Sequence, residues 1–127
     1  MSLTTIGSAG YEATIDSVGA QLMSLRLDGG EYLWQGDKRW WPRRAPVLFP
    51  IVGCLRNDLA TSAQGDVHLK RHGIARLYDH EVVSTTPDAV TFRLDSTEET
   101  RAAFPYDFRL EMTYALEGDA TLAQTFA

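Results

Sequence analysis

An all-β fold, mainly antiparallel, is what the sequence predicts, and three observations predict it. Apolar residues recur at period two through much of the 127 residues, the spacing that puts alternate side chains on one face of a strand. Turn-forming stretches, among them Asp28-Gly29-Gly30, Thr86-Pro87-Asp88 and Gly118-Asp119, separate these runs. Only Glu98 to Ala103 has the composition of a short helical turn. Short strands with polar turns and little helix bury their apolar faces as a sandwich or barrel.

In chain order, Tyr11 to Asp16 alternates apolar and polar and is expected to be a half-buried strand, broken by Ser17-Val18-Gly19. Met23, Leu25 and Leu27 form the next apolar face against Ser24, Arg26 and Asp28, and the glycine turn leads to a strand expected over Tyr32, Leu33 and Trp34. Gly36 to Arg44 mixes aromatic and basic residues without a period and reads as a loop over the sheet, in which Trp40 and Trp41 either cap the core or form an exposed rim. Pro46 and Pro50 bracket Val47-Leu48-Phe49, so Ala45 to Gly53 is expected to be a buried extended connection rather than helix or central strand.

Asn57 to Lys70 reads as a loop or irregular hairpin. His80 to Ser84 and the alternating Val90, Phe92 and Leu94 then make a hairpin around Pro87-Asp88. Phe108, Leu110, Met112, Tyr114 and Leu116 give the cleanest strand, and Thr121 to Phe126 the last. The open edge of that last strand is expected to pair with further sequence or with a second copy, as a homodimer completing the sheet.

Composition narrows the function. A net charge of -5 gives no general attraction for nucleic acid or an anionic membrane, and a neutral ligand suits it better. Cys54 is the single cysteine, so no intramolecular disulfide forms. Met1 to Gly7 carries neither the basic nor the apolar region of a targeting signal, and no run reaches membrane-spanning length. The expected setting is cytoplasmic.

The residues with the most chemistry are Arg71-His72-Gly73-Ile74-Ala75-Arg76. An imidazole titrates near neutrality and guanidinium groups present a planar fork of donors, so the cluster suits an oxygen-rich ligand. For Arg76 the competing expectation is an ion pair with Asp79 or Glu81. His68 and His72, with Asp66 and His80 nearby, invite a metal reading; Gly65 and Gly73 bracket the pair in a non-helical stretch, so no metal is expected, and no cofactor. Glu98, Glu99, Glu111 and Glu117 read as surface charge. Phosphate loops, nucleophile elbows and dinucleotide fingerprints do not occur.

The run Pro46-Val47-Leu48-Phe49-Pro50-Ile51-Val52-Gly53 followed by Arg71 to Arg76 resembles the aldose 1-epimerase (galactose mutarotase-like) family. Upstream, Gly19 to Leu25 and Glu31-Tyr32-Leu33-Trp34-Gln35-Gly36 resemble the family's opening strands, and downstream Phe104 to Leu110 resembles a later one. The resemblance implies a β-supersandwich, with residues 1–127 as a single domain forming its N-terminal portion, about its first half. It implies a small-molecule partner, a neutral aldose, and interconversion of its α and β anomers once following sequence or a partner chain completes the site. On that resemblance His72 is the catalytic candidate at the anomeric centre, Arg76 and Asn57 bind sugar hydroxyls, and Arg56 stands in where the family's arginine is replaced by Cys54 and Asp58. The loop tryptophans would then stack on or rim the sugar. The family's second histidine and its C-terminal glutamate base have no counterpart, since no histidine follows His80. The rival expectation is a carbohydrate-binding or dimerising β-domain without catalysis.

Overall fold

The computed structural model describes residues 1–8, 10–118 and 120–127, with nothing stated for the side chain of Ser8. Asp119, part of the turn expected after Gly118, lies outside the described residues. Two four-stranded antiparallel sheets face each other. The first is a meander in the order β1 (Leu3–Ser8), β2 (Tyr11–Asp16), β3 (Gln21–Leu27) and β4 (Gly30–Glu31). The chain then makes an excursion containing the hairpin β5 (Leu59–Ser62) and β6 (Gly65–His68). The second sheet runs β10 (Thr121–Phe126), β9 (Arg109–Glu117), β8 (Ala89–Asp95) and β7 (Glu81–Thr85).

Alternation explains the sandwich. Ile6, Ala13, Ile15 and Leu22 point inward from the first sheet, and Val90, Phe92, Leu94, Leu110, Met112 and Tyr114 from the second. Polar alternates pair on the outer face: the Thr91 and Thr113 hydroxyls stand 2.8 Å apart across β8 and β9, and Arg93 meets Glu111 at 2.7 Å. The Tyr114 hydroxyl crosses the core to donate to the carbonyl of Ala20, 94 residues away, at 2.6 Å. Burial pushes that phenol up to about 12. A second, smaller apolar cluster of Val67, Leu69 and Ile74, joined by Ile51, Leu55 and Phe104, lies under the excursion.

The one α-helix among the described residues, α1 (Glu98–Ala103), covers the stretch expected from sequence. Thr97 caps it: its side chain accepts from the Thr100 amide while the Thr100 hydroxyl accepts from the Thr97 amide. One expectation needs correction, and one strand was not foreseen: Leu3–Ser8 forms β1, in which Ile6 is fully buried while Leu3, Thr5 and Gly7 are exposed, so the stretch shows no alternation to read. The strand expected over Tyr32 to Trp34 is confined to Gly30–Glu31. There the Glu31 carboxylate folds back to accept from the Ser24 hydroxyl and from the amides of Leu25 and Leu33, replacing ladder bonds with side-chain ones. Burial would raise this carboxyl, and those hydrogen bonds outweigh it and hold it below its ordinary value.

Candidate functional site

The excursion is organised by two short segments that run side by side, 49–53 and 72–75. Phe49 and Gly73 form a parallel bridge, and the Phe49 carbonyl accepts from the amides of Ile74 at 2.8 Å and Ala75 at 3.2 Å. At the far end Gly53 and His72 exchange two bonds: the His72 amide donates to the Gly53 carbonyl at 2.8 Å, and the Gly53 amide donates to His72 Nδ1 at 2.9 Å. Gly73 has φ 71°, and a Cβ there would overlap the Phe49 carbonyl oxygen, so the approach of the two segments requires glycine. His72 itself has φ 67°, a left-handed conformation that a non-glycine residue adopts at a cost. The Phe49–Pro50 peptide is cis, and the Phe49 ring rests on Phe108 with centroids 5.1 Å apart.

This clamp fixes the chemistry of His72. A backbone N–H can donate only to an unprotonated ring nitrogen, so Nδ1 carries the lone pair and the proton of the neutral ring sits on Nε2. Nε2 makes no hydrogen bond to the described residues, which leaves the imidazole as an N–H donor at its outer end.

His72 lines a cleft of about 450 Å³ together with Arg76, Arg71, Arg43, Arg44 and Trp41, over an apolar floor that includes Pro46 and Leu48. Arg76 rides on the 3₁₀ turn Ala75–Leu77, against which Gly19 packs so closely that a Cβ at that position would lie 3.0 Å from the Arg76 Cα. Its Nη2 donates to the carbonyl of Arg71 at 2.9 Å, and its Nε is buried with no acceptor in the protein. The ion pair weighed for Arg76 is not formed; Asp79 instead pairs with the terminal amine of Met1 at 2.8 Å. Arg44 donates to the Met23 carbonyl at 2.6 Å, which ties the cleft to the first sheet. His80 anchors the 3₁₀ turn from beneath, its Nε2 2.9 Å from the Ala75 carbonyl, and burial pushes its imidazole below the ordinary value.

The structure thus brings His72 and Arg76 into one cleft and leaves Asn57 and Arg56 outside it. Those two are exposed on the 3₁₀ turn Arg56–Asp58, where Asn57 has φ 57° and ψ 24°. The tryptophans do not cap the core: Trp40 is 79% exposed and Trp41 47%, with the Trp41 carbonyl held by the Trp34 indole N–H at 2.8 Å. Sequence reasoning gave no binding role to Arg43 and Arg44, although two adjacent arginines directly before the apolar run were a readable signal. Among the described residues no group of three or more His, Cys, Asp or Glu is arranged to hold a metal. A depression of similar volume at the sheet ends, lined by Gly7, Tyr11, Pro87, Asp88, Leu116 and Gly118, offers only the Asp88 carboxylate as an ionised group.

The aldose 1-epimerase family model matches residues 1–127. The chain belongs to the aldose 1-epimerase family. It is similar to the chromosomal protein LacX of Lactococcus lactis subsp. lactis, with 37% identity over 108 residues, 80% of this chain and 36% of LacX. A galactose mutarotase-like protein from Lactobacillus casei superposes with a TM-score of 0.92 at 36% identity, covering 98% of this chain and 43% of that one. The galactose mutarotase related enzyme of Lactobacillus acidophilus superposes with a TM-score of 0.87 at 38% identity, covering 91% and 39%. The fold is therefore galactose mutarotase-like, and the chain spans well under half the length of these relatives. No helix among the described residues is long and apolar enough to cross a membrane.

Proposed function

We propose that residues 1–127 form the N-terminal portion of a mutarotase-like sandwich and supply one wall of an aldose site, in a protein that interconverts α and β anomers when the rest of the site is present. The observation that carries this reading is the His72 clamp. Mutarotation opens a cyclic hemiacetal and recloses it, which requires a proton to leave the anomeric hydroxyl and another to reach the ring oxygen. A ring held as an Nε2–H donor is suited to hydrogen-bond an oxygen at the reacting centre, polarising the bond that breaks. Arg76, oriented by the Arg71 carbonyl, donates to sugar hydroxyls, and the half-exposed Trp41 offers an apolar face to the sugar ring.

The acid and base that shuttle the protons come from outside these residues. A second copy, or the remainder of the sandwich, adds strands at the open edge of β10. The exposed, unpaired Cys54 fits a cytoplasmic setting. Polarimetry of freshly dissolved α-galactose, with the protein whose site the rest of the sandwich completes, tests the function: acceleration over the uncatalysed rate, lost in His72→Ala, is the expected result. If galactose binds without acceleration, the chain is a carbohydrate-binding domain. If it neither binds nor accelerates, the aldose reading fails for these residues.

A further inference from the structure

His80 is the buried histidine: it is 3% exposed, whereas His68 is exposed and His72 half-buried. A carbonyl only accepts, so the 2.9 Å contact between Nε2 and the Ala75 oxygen places the proton of the neutral ring on Nε2 and leaves a lone pair on Nδ1. Burial keeps the ring neutral near pH 7 by pushing it below its ordinary value. Nδ1 is buried as well and has no partner among the described residues. A phenyl ring would fill the same apolar space without orphaning an acceptor, a state that costs stability. What the imidazole adds is one directed donor.

That donor reaches the carbonyl on which the 3₁₀ turn Ala75–Leu77 depends. The turn's own bond to this carbonyl, from the Tyr78 amide, is long at 3.4 Å. His80 is itself anchored on the first sheet's side, its amide donating to the Ser17 carbonyl at 2.9 Å, and the Gly19 amide holds the Tyr78 carbonyl at 2.7 Å. The Ala75 carbonyl and the Arg76 amide belong to one planar peptide unit, so fixing the first fixes the start of the second. Arg76 needs such a fix. Arg39, Arg93, Arg101 and Arg109 are aimed by carboxylates, whereas Arg76 has only the Arg71 carbonyl at Nη2 and a buried Nε without an acceptor.

We propose that His80 is a positioning residue for Arg76: by donating from Nε2 to the Ala75 carbonyl, it fixes the peptide plane from which the Arg76 side chain enters the cleft. The placement of Arg76 stands on these bonds alone, and its consequence for sugar affinity rests on the aldose reading above.

Nitrogen NMR of the imidazole and guanidinium groups of the full chain tests it, in the parent, His80→Gln and His80→Phe. In the parent near pH 7, His80 is expected to carry its proton on Nε2, and the buried Arg76 Nε–H to exchange slowly with solvent. Glutamine keeps an N–H donor within the same space and is expected to leave the Arg76 signal and its exchange rate unchanged. Phenylalanine keeps the ring without the donor and is expected to shift the Arg76 signal and speed its exchange at least about tenfold. The Arg44 signal, set by the Met23 carbonyl, serves as the control and stays in place in all three. On the protein whose site the rest of the sandwich completes, galactose affinity is expected to fall about fivefold in His80→Phe and to stay unchanged in His80→Gln.

An Arg76 signal that is the same in His80→Phe as in the parent overturns the inference. So does an equal change in the glutamine and phenylalanine variants, or a change in Arg44 as large as that in Arg76, since either marks a loss of packing rather than of the donor. Where His80→Phe does not fold, the parent decides: a His80 proton on Nδ1 removes the bond to Ala75 and overturns the inference, and one on Nε2 supports it. A parent that binds no galactose ends the aldose reading, and the Arg76 signal still decides the role of His80.

Discussion

The ladder between β8 and β9 and the clamp between segments 49–53 and 72–75 hold the same chain together by opposite means. In the ladder, every second side chain enters the core, and Val90, Phe92, Leu94, Leu110, Met112 and Tyr114 are all buried. Its stability is spread over apolar area, and each outward position tolerates exchange. In the clamp, a few backbone bonds and two glycines do the work, with His72 in a left-handed conformation and its ring used as a hydrogen-bond acceptor. Redundant packing makes a scaffold, whereas a small set of obligatory contacts makes a surface whose donors point in fixed directions.

Substitutions separate the two regions. Phe92→Ala removes a fully buried ring from the ladder and is expected to cost about 3–5 kcal/mol in chemical denaturation, while sugar affinity of the folded protein stays near that of the parent. Gly73→Ala is expected to cost about 2–4 kcal/mol, because a Cβ there would overlap both the Phe49 carbonyl and the Pro50 Cδ and would sit at a strained φ. It should nevertheless abolish sugar binding, since it separates the segments that hold His72. If Gly73→Ala binds sugar normally, the clamp does not define the site.

A smaller effect comes from the residue that joins the regions. Burial lowers the His80 pKa in the folded state, so the unfolded chain takes up a proton first as pH falls. Its contribution is therefore fully present above the ordinary value of 6.5 and is lost as pH falls from there through the lowered folded pKa. Urea unfolding between pH 7.5 and 5.5 is expected to show falling stability in the parent and a flatter profile in His80→Gln. Parallel profiles would remove His80 from the account.

The same contrast explains what was legible in the sequence. The alternating runs of β2, β8 and β9 were readable because one face of each is buried, and α1 because Glu98 to Ala103 has the composition of a helical turn; in β3 the buried residue is Leu22, shifted by a bulge opposite Ile15 and out of step with the expected face of Met23, Leu25 and Leu27. β1 was not, since a strand with a single buried side chain carries no period, and the strand expected at Tyr32 to Trp34 failed because Glu31 captures the local amides. At the site, the resemblance of the motif around His72 and Arg76 located the cleft. What it left out were partners brought near by folding: Gly53 against His72, and Arg43 and Arg44 across from Arg71. No local pattern encodes a contact between segments so far apart in sequence.

The central claim is that His72, held by Gly53, faces the ligand. Imidazole nitrogen NMR of the labelled chain, titrated with galactose, tests it most directly. The account predicts a protonated Nε2 and an unprotonated Nδ1 in the free protein, and a ligand-dependent shift centred on Nε2. A proton on Nδ1, or saturating ligand that leaves both nitrogens unmoved, would contradict it.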